Sequence, residues 1–477
     1  MAQPLYDLAE GMSLMKNVVL VTVDCLRYDR CGFNGHHRNT TPTLDSLATE
    51  SLVFDNCYST GPYTTESLPG ILAGQHSYNG YQYGDHTAYK ALPTDSPTLA
   101  TAFSDAGYRT AAVISNPHLT ENRNFDMGFD RFDNFRAATD ADHDEGDSRF
   151  GDLTHEVRER MRSSPTRYNP LAFVYAVHRY RQLRSEWPTT DGADLTDRAL
   201  NVLDDLTSDD SPFFLWNHYM DVHAPISPER AQSAGLGHIP TIRSLFWDAS
   251  RAGRFYEPGY GMLYDSAVRY VDAQIGRLVD RLKSADVWDD TVLVVTSDHG
   301  EALFDRQGIY GHPPHYHYDE LLHVPLLVTN AEQTGRVDGL ISLAWLHELM
   351  AAVTEVQFTG FPSEGGSDDI LSGGSDVAIS DTLRGAGHTV TARDEHGKVI
   401  VHTTAPEGEP IEWEYGDEPI CYRYDQDRGE RAAMALVESE LVDEARSRLT
   451  EMFELPEVGG EFDEATRQQL QDLGYRM

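Results

Sequence analysis

Short apolar runs rich in β-branched residues alternate along this chain with segments of helical periodicity. Four runs have the length and composition of buried strands: Val18–Val23, Thr110–Ser115, Pro212–Trp216 and Thr291–Ser297. In two intervening segments, 97–106 and 264–283, apolar residues recur every three or four positions, which predicts amphipathic helices. Strands that alternate with helices in this way predict an α/β fold, with a doubly wound, mostly parallel sheet flanked by helices.

Three stretches between these elements are less regular. Residues 36–60 predict a loop and a helix around Leu44, Leu47 and Leu52. Residues 152–210 predict a polar, helical excursion over the sheet. Residues 137–150 are rich in acidic side chains but lack the EF-hand spacing, so we expect a solvated acidic loop there and no calcium site.

The C-terminal part changes in character. A helix is predicted over Ile341–Val353, and a stretch rich in Gly, Ser and Asp, Gly360–Gly374, predicts a loop or linker. Two short strands follow, at Thr389–Ala392 and Val399–Thr403, and a closing helix ends the chain. We therefore predict a large α/β domain over residues 1–359 and a smaller C-terminal α+β subdomain over residues 360–477.

The net charge indicates in which environment the protein works and which class of partner is disfavoured. The formal charge is −39, and only four of the 38 basic residues are lysines: Lys16, Lys90, Lys283 and Lys398. An acidic, lysine-poor surface keeps a protein soluble in concentrated salt, where screening removes the self-repulsion. We expect a halophilic protein that needs high salt. The same charge disfavours nucleic acid as a partner, and no basic stripe is visible.

Cysteine usage and the terminus bear on location. The four cysteines, at positions 25, 31, 57 and 421, show neither metal-binding pairs nor disulfide density, which suits a reducing interior. Residues 1–15 lack the pattern of a secretory signal, and no apolar run is long enough for a transmembrane helix. The expected location is cytoplasmic.

Two of the apolar runs end in groups that bind metals. The first run stops at Asp24, and the last stops at Asp298, His299 and Gly300. Carboxyl ends of parallel strands meet at one edge of a sheet, where open α/β sheets bind ligands. Asp298 and His299 can serve one ion if the strand has already ended in a turn, which Gly300 permits. Carboxylate oxygens and an imidazole nitrogen there predict a site for a divalent metal.

These strand ends belong to a longer series of motifs: Asn17–Arg27, Thr41–Ala48, Phe54–Tyr58, Pro212–Pro225, Ser297–Gly300 and Val324–Leu327. In order and spacing the series resembles the sulfatase family of the alkaline phosphatase superfamily, over most of the chain. The resemblance implies that family's fold and a metal-dependent reaction on sulfate or phosphate esters.

The resemblance also implies a nucleophile. In the family, this residue lies at the start of a helix, ten residues before a glycine, and counting back from Gly74 gives Thr64. A helix N-terminus favours an oxyanion and an anionic substrate. Thr65 or Ser67 would take this role if the register differs, and Thr64 could instead only cap the helix.

Thr64 departs from the pattern of true sulfatases. Their nucleophile is a cysteine or serine converted to formylglycine, within a motif that continues with proline or alanine and then arginine. This chain has Thr64 with Glu66 and Leu68 at those places, so formylglycine cannot form there, and the surroundings of Cys57 do not fit either. A threonine at this position resembles the nucleophile of the phosphatase, phosphodiesterase and phosphoglycerol-transferase branches of the superfamily. In those branches, a metal activates the hydroxyl for covalent attack on phosphorus.

Histidines complete the expected site. By resemblance, His223 contacts the ester oxygens, although a strand-end histidine can also be structural. Asp221 could serve a second metal or brace His223. Among the four histidines of Tyr310–Pro325, the resemblance permits His312 or His315 as a further ester contact and favours His312, whereas His323 is expected to be structural.

The sequence thus predicts a sulfatase-family hydrolase or transferase. Thr64 and His223 are its expected catalytic residues, His223 and His312 bind substrate, and the expected metal ligands are Asp24, Thr64, Asp298 and His299. The cofactor is a divalent ion, Ca, Mn, Mg or Zn, and the substrate is a small-molecule or glycan ester. Two alternatives remain: a non-catalytic sulfatase-like binding protein, and a phosphomutase-like enzyme acting on sugar phosphates.

Overall fold

Strands and helices alternate through the first three quarters of the computed structural model. The structure describes residues 15–77, 81–83, 86–135, 187–237, 257–306, 309–354, 356–362, 370–373, 377–384, 387–403, 418–434, 439–449, 457–458, 466–467, 469–470 and 473. The strands are β1 (Asn17–Val23), β2 (Leu52–Tyr58), β3 (Tyr81–Tyr83), β4 (His86–Ala91), β5 (Arg109–Ile114), β6 (Arg131–Asn134), β7 (Phe213–Tyr219), β8 (Thr291–Ser297), β9 (Ala302–Leu303), β10 (Tyr310–Gly311), β11 (Leu326–Val328), β12 (Gly335–Ser342), β13 (Ala378–Arg384), β14 (Gly387–Arg393), β15 (Gly397–His402), β16 (Ile420–Arg423) and β17 (Glu457–Val458). The α-helices are α1 (Pro42–Ala48), α2 (Thr64–Ala73), α3 (Leu99–Asp105), α4 (Gly192–Leu206), α5 (Pro228–Ser233), α6 (Glu257–Ser284), α7 (Asp319–Leu322), α8 (Leu346–Thr354), α9 (Tyr424–Asp427) and α10 (Glu440–Ser447).

An eight-stranded sheet forms the core, in the order β12-β2-β11-β8-β1-β7-β5-β6. The central strands run parallel, and β11 alone pairs antiparallel with both of its neighbours. Strand β1 lies in the middle, between β7 and β8, so its carboxyl end is surrounded by those of two other strands. The predicted fold class, a mostly parallel sheet flanked by helices, is confirmed.

Helices cover both faces of this sheet, because successive side chains of a buried strand point to opposite sides. In β1, Val18 and Leu20 pack with apolar residues of α2, α3 and α8. Val19, Val21 and Val23 point the other way and pack with apolar residues of α1, α4 and α6. Burial on both faces explains why the strand is a continuous apolar run instead of an alternating one.

Two predicted helices need correction. Residues 36–60 contain the short helix α1, but Leu52, which we expected in a helix, begins strand β2, which pairs with β11 and β12. Ile341, expected to start a helix, lies near the end of β12, and the helix begins at Leu346. In both places, pairing within the sheet outweighs the local apolar spacing, which short segments satisfy in either conformation.

The C-terminal part contains a four-stranded antiparallel sheet, β13-β14-β15-β16, with α10 packed on it. The strands expected at 389–392 and 399–403 fall within β14 and at β15. Strand β13 lies along the segment before α2: the Asp381 amide donates to the Thr60 carbonyl at 2.8 Å, and the Thr382 hydroxyl donates to Glu66 at 2.9 Å. The C-terminal sheet therefore contacts the helix that begins at Thr64.

Some expected features lie wholly or mainly outside the described residues. These are the acidic loop over 137–150, most of the excursion over 152–210, of which α4 is described, most of the linker over 360–374 and most of the closing helix. Within the described part of the chain, no helix has the length and apolar character needed to cross a bilayer.

Candidate metal centre and active site

Asp24 and Asp298 lie side by side at the carboxyl edge of the sheet. Val23, the last residue of β1, pairs with Ser297, the last residue of β8, so the next residue of each strand enters the same space. Both carboxylates are fully buried. The amide of Cys25 donates to Oδ1 of Asp298 at 3.2 Å and ties the two strand ends together.

The orientation of His299 is fixed by its own backbone. Its Nδ1 lies 2.8 Å from the carbonyl oxygen of Gly300, which can only accept, so Nδ1 carries the proton. In the neutral form of the ring, Nε2 then holds the lone pair. This atom lies 3.5 Å from Oδ2 of Asp298 and 3.8 Å from Oδ1 of Asp24. The ring therefore presents a ligand nitrogen to both carboxylates.

Thr64 joins this group from the first position of α2. Its Oγ1 lies 3.4 Å from Oδ2 of Asp24 and 3.3 Å from Nε2 of His299. The preceding residue, Tyr63, makes no side-chain cap, so the helix N-terminus faces the site with free amides. The hydroxyl of Ser67 donates instead to the backbone carbonyl of Asp298. Thr65 is turned about 100° around the helix from Thr64.

These groups fit a divalent ion. The donor atoms of Asp24, Thr64, Asp298 and His299 lie 3.3–3.8 Å from one another in the contacts given above. A tetrahedral shell with bonds of about 2.1 Å separates its ligands by about 3.4 Å. Oδ2 of Asp298 is buried and has no hydrogen-bond partner in the described part of the chain. A cation between these atoms would satisfy this oxygen.

The charges support the same conclusion. Burial, together with the nearby charge of Asp24, raises the pKa of Asp298. Burial acts in the same direction on Asp24, but His223 and His218 lie close, and the net result is a pKa well below its ordinary range. Two buried carboxylates at one point repel each other, so a positive ion stabilises the arrangement.

A second set of residues, which the sequence did not reveal, supports Asp24. Nδ2 of Asn116, just after β5, donates to its Oδ2 at 3.3 Å. Nε2 of His218, on β7, lies 3.7 Å from the same oxygen. His218 is in turn linked through the Thr22 hydroxyl, at 2.8 Å, to the Trp216 indole N–H. His218 lies on a face of β7 that otherwise carries Phe214 and Trp216, and this polar position on an apolar face was the available sequence signal.

His223 and His312 lie beside this centre. The two ring centroids are 4.9 Å apart, and the His312 ring lies 5.0 Å from that of His299. Burial lowers the pKa of His223 to about 4, against the effect of Asp24, so its ring is neutral near pH 7. Nδ1 of His312 lies 2.9 Å from Oε2 of Glu301, a fully buried residue that the sequence interpretation missed.

Three other candidates lie in structural contacts. His315 bonds the Thr389 hydroxyl of the C-terminal sheet at 2.8 Å, and His323 bonds the Asp55 carbonyl at 2.8 Å. Asp221 accepts from Arg230 at 3.1 Å and from the Gly192 amide at 3.2 Å. These contacts tie Asp221 to α4 and α5, on either side of the loop that carries His223.

Comparison with known proteins gives the family of the chain. A family model described as Sulfatase matches residues 16–354. An arylsulfatase from Clostridium perfringens is 26% identical over 327 residues, covering 61% of this chain and 65% of that protein. N-acetylgalactosamine-6-sulfatase from Mus musculus is 24% identical over 307 residues, covering 62% of this chain and 52% of that protein. The chain thus spans between about half and two thirds of the length of these relatives.

A solved structure shows the same fold. The phosphonate monoester hydrolase of Agrobacterium radiobacter superposes with a TM-score of 0.55 at 17% identity, covering 86% of this chain and 90% of that one. At such low identity, the likeness concerns the fold alone.

Proposed function

Since the chain belongs to the sulfatase family, we propose that it is a metal-dependent enzyme that cleaves or transfers phosphate or sulfate esters with Thr64 as its nucleophile. The observation that carries this proposal is the position of Oγ1 of Thr64. It lies at an open helix N-terminus, within 3.4 Å of both Asp24 and His299. Asp24, Asp298 and His299 would hold a divalent ion together with the Thr64 oxygen.

A bound divalent ion would lower the pKa of the Thr64 hydroxyl and offset the negative charge of the ester. The protein contributes the remaining chemistry. The free amides at the start of α2 point towards the anionic group and stabilise the charge that grows on its oxygens. His223 and His312, on the other side of the centre, would bind the ester oxygens.

The proposed reaction has two displacements. Oγ1 of Thr64 attacks phosphorus, its proton leaves towards Oδ2 of Asp24, and the bond from phosphorus to the leaving oxygen breaks. The leaving oxygen takes up a proton as the alcohol departs. Water, or another alcohol in a transferase, then attacks the phosphothreonine and loses its proton to solvent. The bond from phosphorus to Oγ1 breaks, and Oγ1 takes back the proton from Asp24, which restores the enzyme.

The threonine favours phosphoryl chemistry over formylglycine chemistry. Formylglycine is made from cysteine or serine, and neither occupies position 64. The similar proteins include an N-acetylgalactosamine-6-sulfatase and, by fold alone, a phosphonate monoester hydrolase. We propose a small-molecule or glycan phosphate ester as the substrate, with a sulfate ester as the second choice.

Trapping of the covalent intermediate tests this proposal. In high salt with Mn²⁺ or Zn²⁺, an aryl phosphate monoester and an aryl phosphodiester are mixed with enzyme and quenched in acid, and peptides are mapped by mass. We expect phosphate on Thr64 and no aldehyde. Thr64→Ala should abolish turnover, Thr64→Ser should keep part of it, and the neighbouring Thr65→Ala serves as the matched control. Full turnover in Thr64→Ala would contradict the assignment.

We further propose that the protein works in concentrated salt, since its formal charge of −39 is carried with only four lysines. Assays of the kind described above therefore use molar KCl or NaCl. A wild-type protein that binds metal but turns over none of these esters would favour the non-catalytic binding protein.

A further inference from the structure

Strand β13 of the C-terminal sheet contacts α2 at both of its ends through buried side chains. Oδ1 of Asp381 accepts from the amide of Ser77, shortly after the helix, at 3.0 Å. The next residue, Thr382, donates from its hydroxyl to Oε2 of Glu66, in the first turn of the helix, at 2.9 Å. We propose that Thr382, acting through Glu66, is a positioning residue for Thr64. This inference rests on the proposed function, in which Thr64 is the nucleophile.

A second contact of Thr382 fixes the direction of its hydroxyl. Nε2 of His317 lies 2.9 Å from Oγ1 of Thr382, and Nδ1 of the same ring lies 2.8 Å from the Thr391 hydroxyl. Burial holds the pKa of His317 well below its usual range, so the ring is neutral near pH 7 and carries one proton. The Thr382 hydroxyl gives its single proton to Glu66, so Nε2 donates to Thr382 and Nδ1 accepts from Thr391. The hydrogen bond to Glu66 is therefore held in place from the C-terminal sheet.

Glu66 occupies a position where a carboxylate is stabilised. It lies in the first turn of α2, and the positive end of the helix dipole favours a negative charge there. In the formylglycine motif, this place belongs to proline or alanine, whose side chains cannot accept a hydrogen bond. The contact with Thr382 is therefore a feature of this chain and not of that motif.

The backbone between β13 and α2 is tightly packed. The amide of Asp381 donates to the Thr60 carbonyl at 2.8 Å, and the Thr60 hydroxyl donates to the Glu66 carbonyl at 2.9 Å. A Cβ on Gly61 would lie 2.8 Å from the Asp381 carbonyl oxygen and 2.8 Å from Cβ of Glu66, so glycine permits this close approach. Because a close-packed interior transmits strain, a change at Thr382 should move the start of α2.

The position of the Thr64 hydroxyl matters for the proposed attack. Its Oγ1 lies 3.4 Å from Oδ2 of Asp24 and 3.3 Å from Nε2 of His299, in the same helical turn as Glu66. A nucleophile has to approach its target to about 3–3.5 Å in line, and a misplacement of about 1 Å can lower the rate about 100-fold. Because Thr382 acts through Glu66, its loss should lower the rate of attack and leave metal binding unchanged.

Single-turnover kinetics test the proposal. Thr382→Val removes the hydroxyl and keeps the shape of the side chain. In molar KCl with Mn²⁺ and an aryl phosphate ester, the rate of phosphothreonine formation should fall about 10- to 100-fold, with bound metal and KM unchanged. Thr382→Ser keeps the hydroxyl and should restore most of the rate. Thr389→Val is the matched control, since Thr389 is equally buried but bonds His315 at 2.8 Å, and it should keep the wild-type rate.

Amide hydrogen exchange gives a measurement that needs no turnover. Peptides that span α2 should exchange faster in Thr382→Val than in Thr389→Val, because local opening of the helix becomes easier. Equal exchange in the two variants, or an unchanged rate of phosphothreonine formation in Thr382→Val, would overturn the inference. Should Thr382→Val fail to fold, Glu66→Met breaks the same hydrogen bond from the side of α2 and carries the same expectations.

The two proposals fail in different ways. A wild-type protein that forms no phosphothreonine would refute the proposed function, and the exchange comparison would still decide whether Thr382 holds the start of α2. Phosphothreonine that forms equally fast in the wild type and in Thr382→Val would refute this inference alone.

Discussion

Nε2 of His299 lies 3.3 Å from Oγ1 of Thr64 and carries the lone pair of the ring, because Nδ1 donates to the Gly300 carbonyl. In the neutral ring, this nitrogen cannot donate to the threonine oxygen. Burial lowers the pKa of His299, but Asp298 and Asp24 outweigh this effect and raise it, and a bound cation would keep the ring neutral. Either the hydroxyl donates to the ring, or both atoms share an ion. The second arrangement is consistent with the unpartnered Oδ2 of Asp298, 3.5 Å from the same nitrogen.

The first prediction concerns that carboxylate. Asp298→Asn keeps the shape of the side chain but removes an anionic ligand. Loss of a supporting residue typically lowers metal affinity about 10- to 100-fold, and the affinity for the ion at Thr64 should fall by more than this. Bound metal after dialysis and turnover measure this. Asp272→Asn is the control: Asp272 is equally buried, but it bonds the amides of Thr43 and Leu44, away from the site. Unchanged metal content in Asp298→Asn would remove Asp298 from the centre.

The sequence predicted this part of the site because its signals are local. Asp24 and Asp298 each end an apolar run, and the parallel arrangement brings such ends together. Asn116 escaped notice because its role depends on a contact with Asp24, 92 positions away, and Glu301 because its contact with His312 depends on how the loop after β8 folds back. No local pattern distinguishes such residues from ordinary polar ones.

The same distinction applies to the fold. Fully buried strands, such as β1 and β8, are long apolar runs, and their prediction needs no partner. Strand β2 was assigned in part to a helix, since Leu52 continues the spacing of Leu44 and Leu47. Its pairing with β11 and β12 comes from residues more than 260 positions later, and this tertiary preference outweighs the local signal.

A second prediction concerns salt. When salt falls from about 1 M to about 0.01 M, the screening length grows from about 3 Å to about 30 Å, so the charges that make up −39 begin to repel across the molecule. The melting temperature should fall steeply, and the protein should unfold at the low end. Thermal melts over a KCl series measure this. An equally high and sharp transition at low salt would contradict the halophilic assignment.

The third prediction concerns a buried lysine. Lys398 is fully buried, and its Nζ pairs with Glu430 and, at 3.1 Å, with Asp319. Lys398→Met removes this cation, although Asp319 keeps Arg393 at 2.8 Å and Glu430 keeps Arg306 at 3.5 Å, so it should cost about 3 kcal/mol, at the low end for a broken buried pair. Lys283→Met, at the exposed end of α6, should change stability by no more than about 0.5 kcal/mol. Chemical unfolding in high salt measures both values.

A double variant separates charge from packing at this position. If the cost of Lys398→Met comes from the loss of the cation beside the buried Glu430, then adding Glu430→Met should restore part of the lost stability. Equal or greater destabilisation in the double variant would show that the lysine stem, and not its charge, stabilises the contact between the C-terminal sheet and α7.

The last prediction concerns acid. Burial would raise the pKa of Asp319, but Arg393 and Lys398 lie close, and the net result is a pKa well below its ordinary range. A carboxyl group with a depressed pKa in the folded state contributes stability above its unfolded pKa of about 3.9 and loses it as the pH falls towards the folded value. Thermal melts in constant high salt should therefore show stability falling below about pH 4. Asp319→Asn should be less stable than wild type at pH 7, and this difference should narrow as the pH falls, since the unfolded wild-type chain takes up a proton at Asp319 that the folded state does not. A difference that stays constant from pH 7 to pH 3 would mean that the Asp319 charge does not contribute to folding.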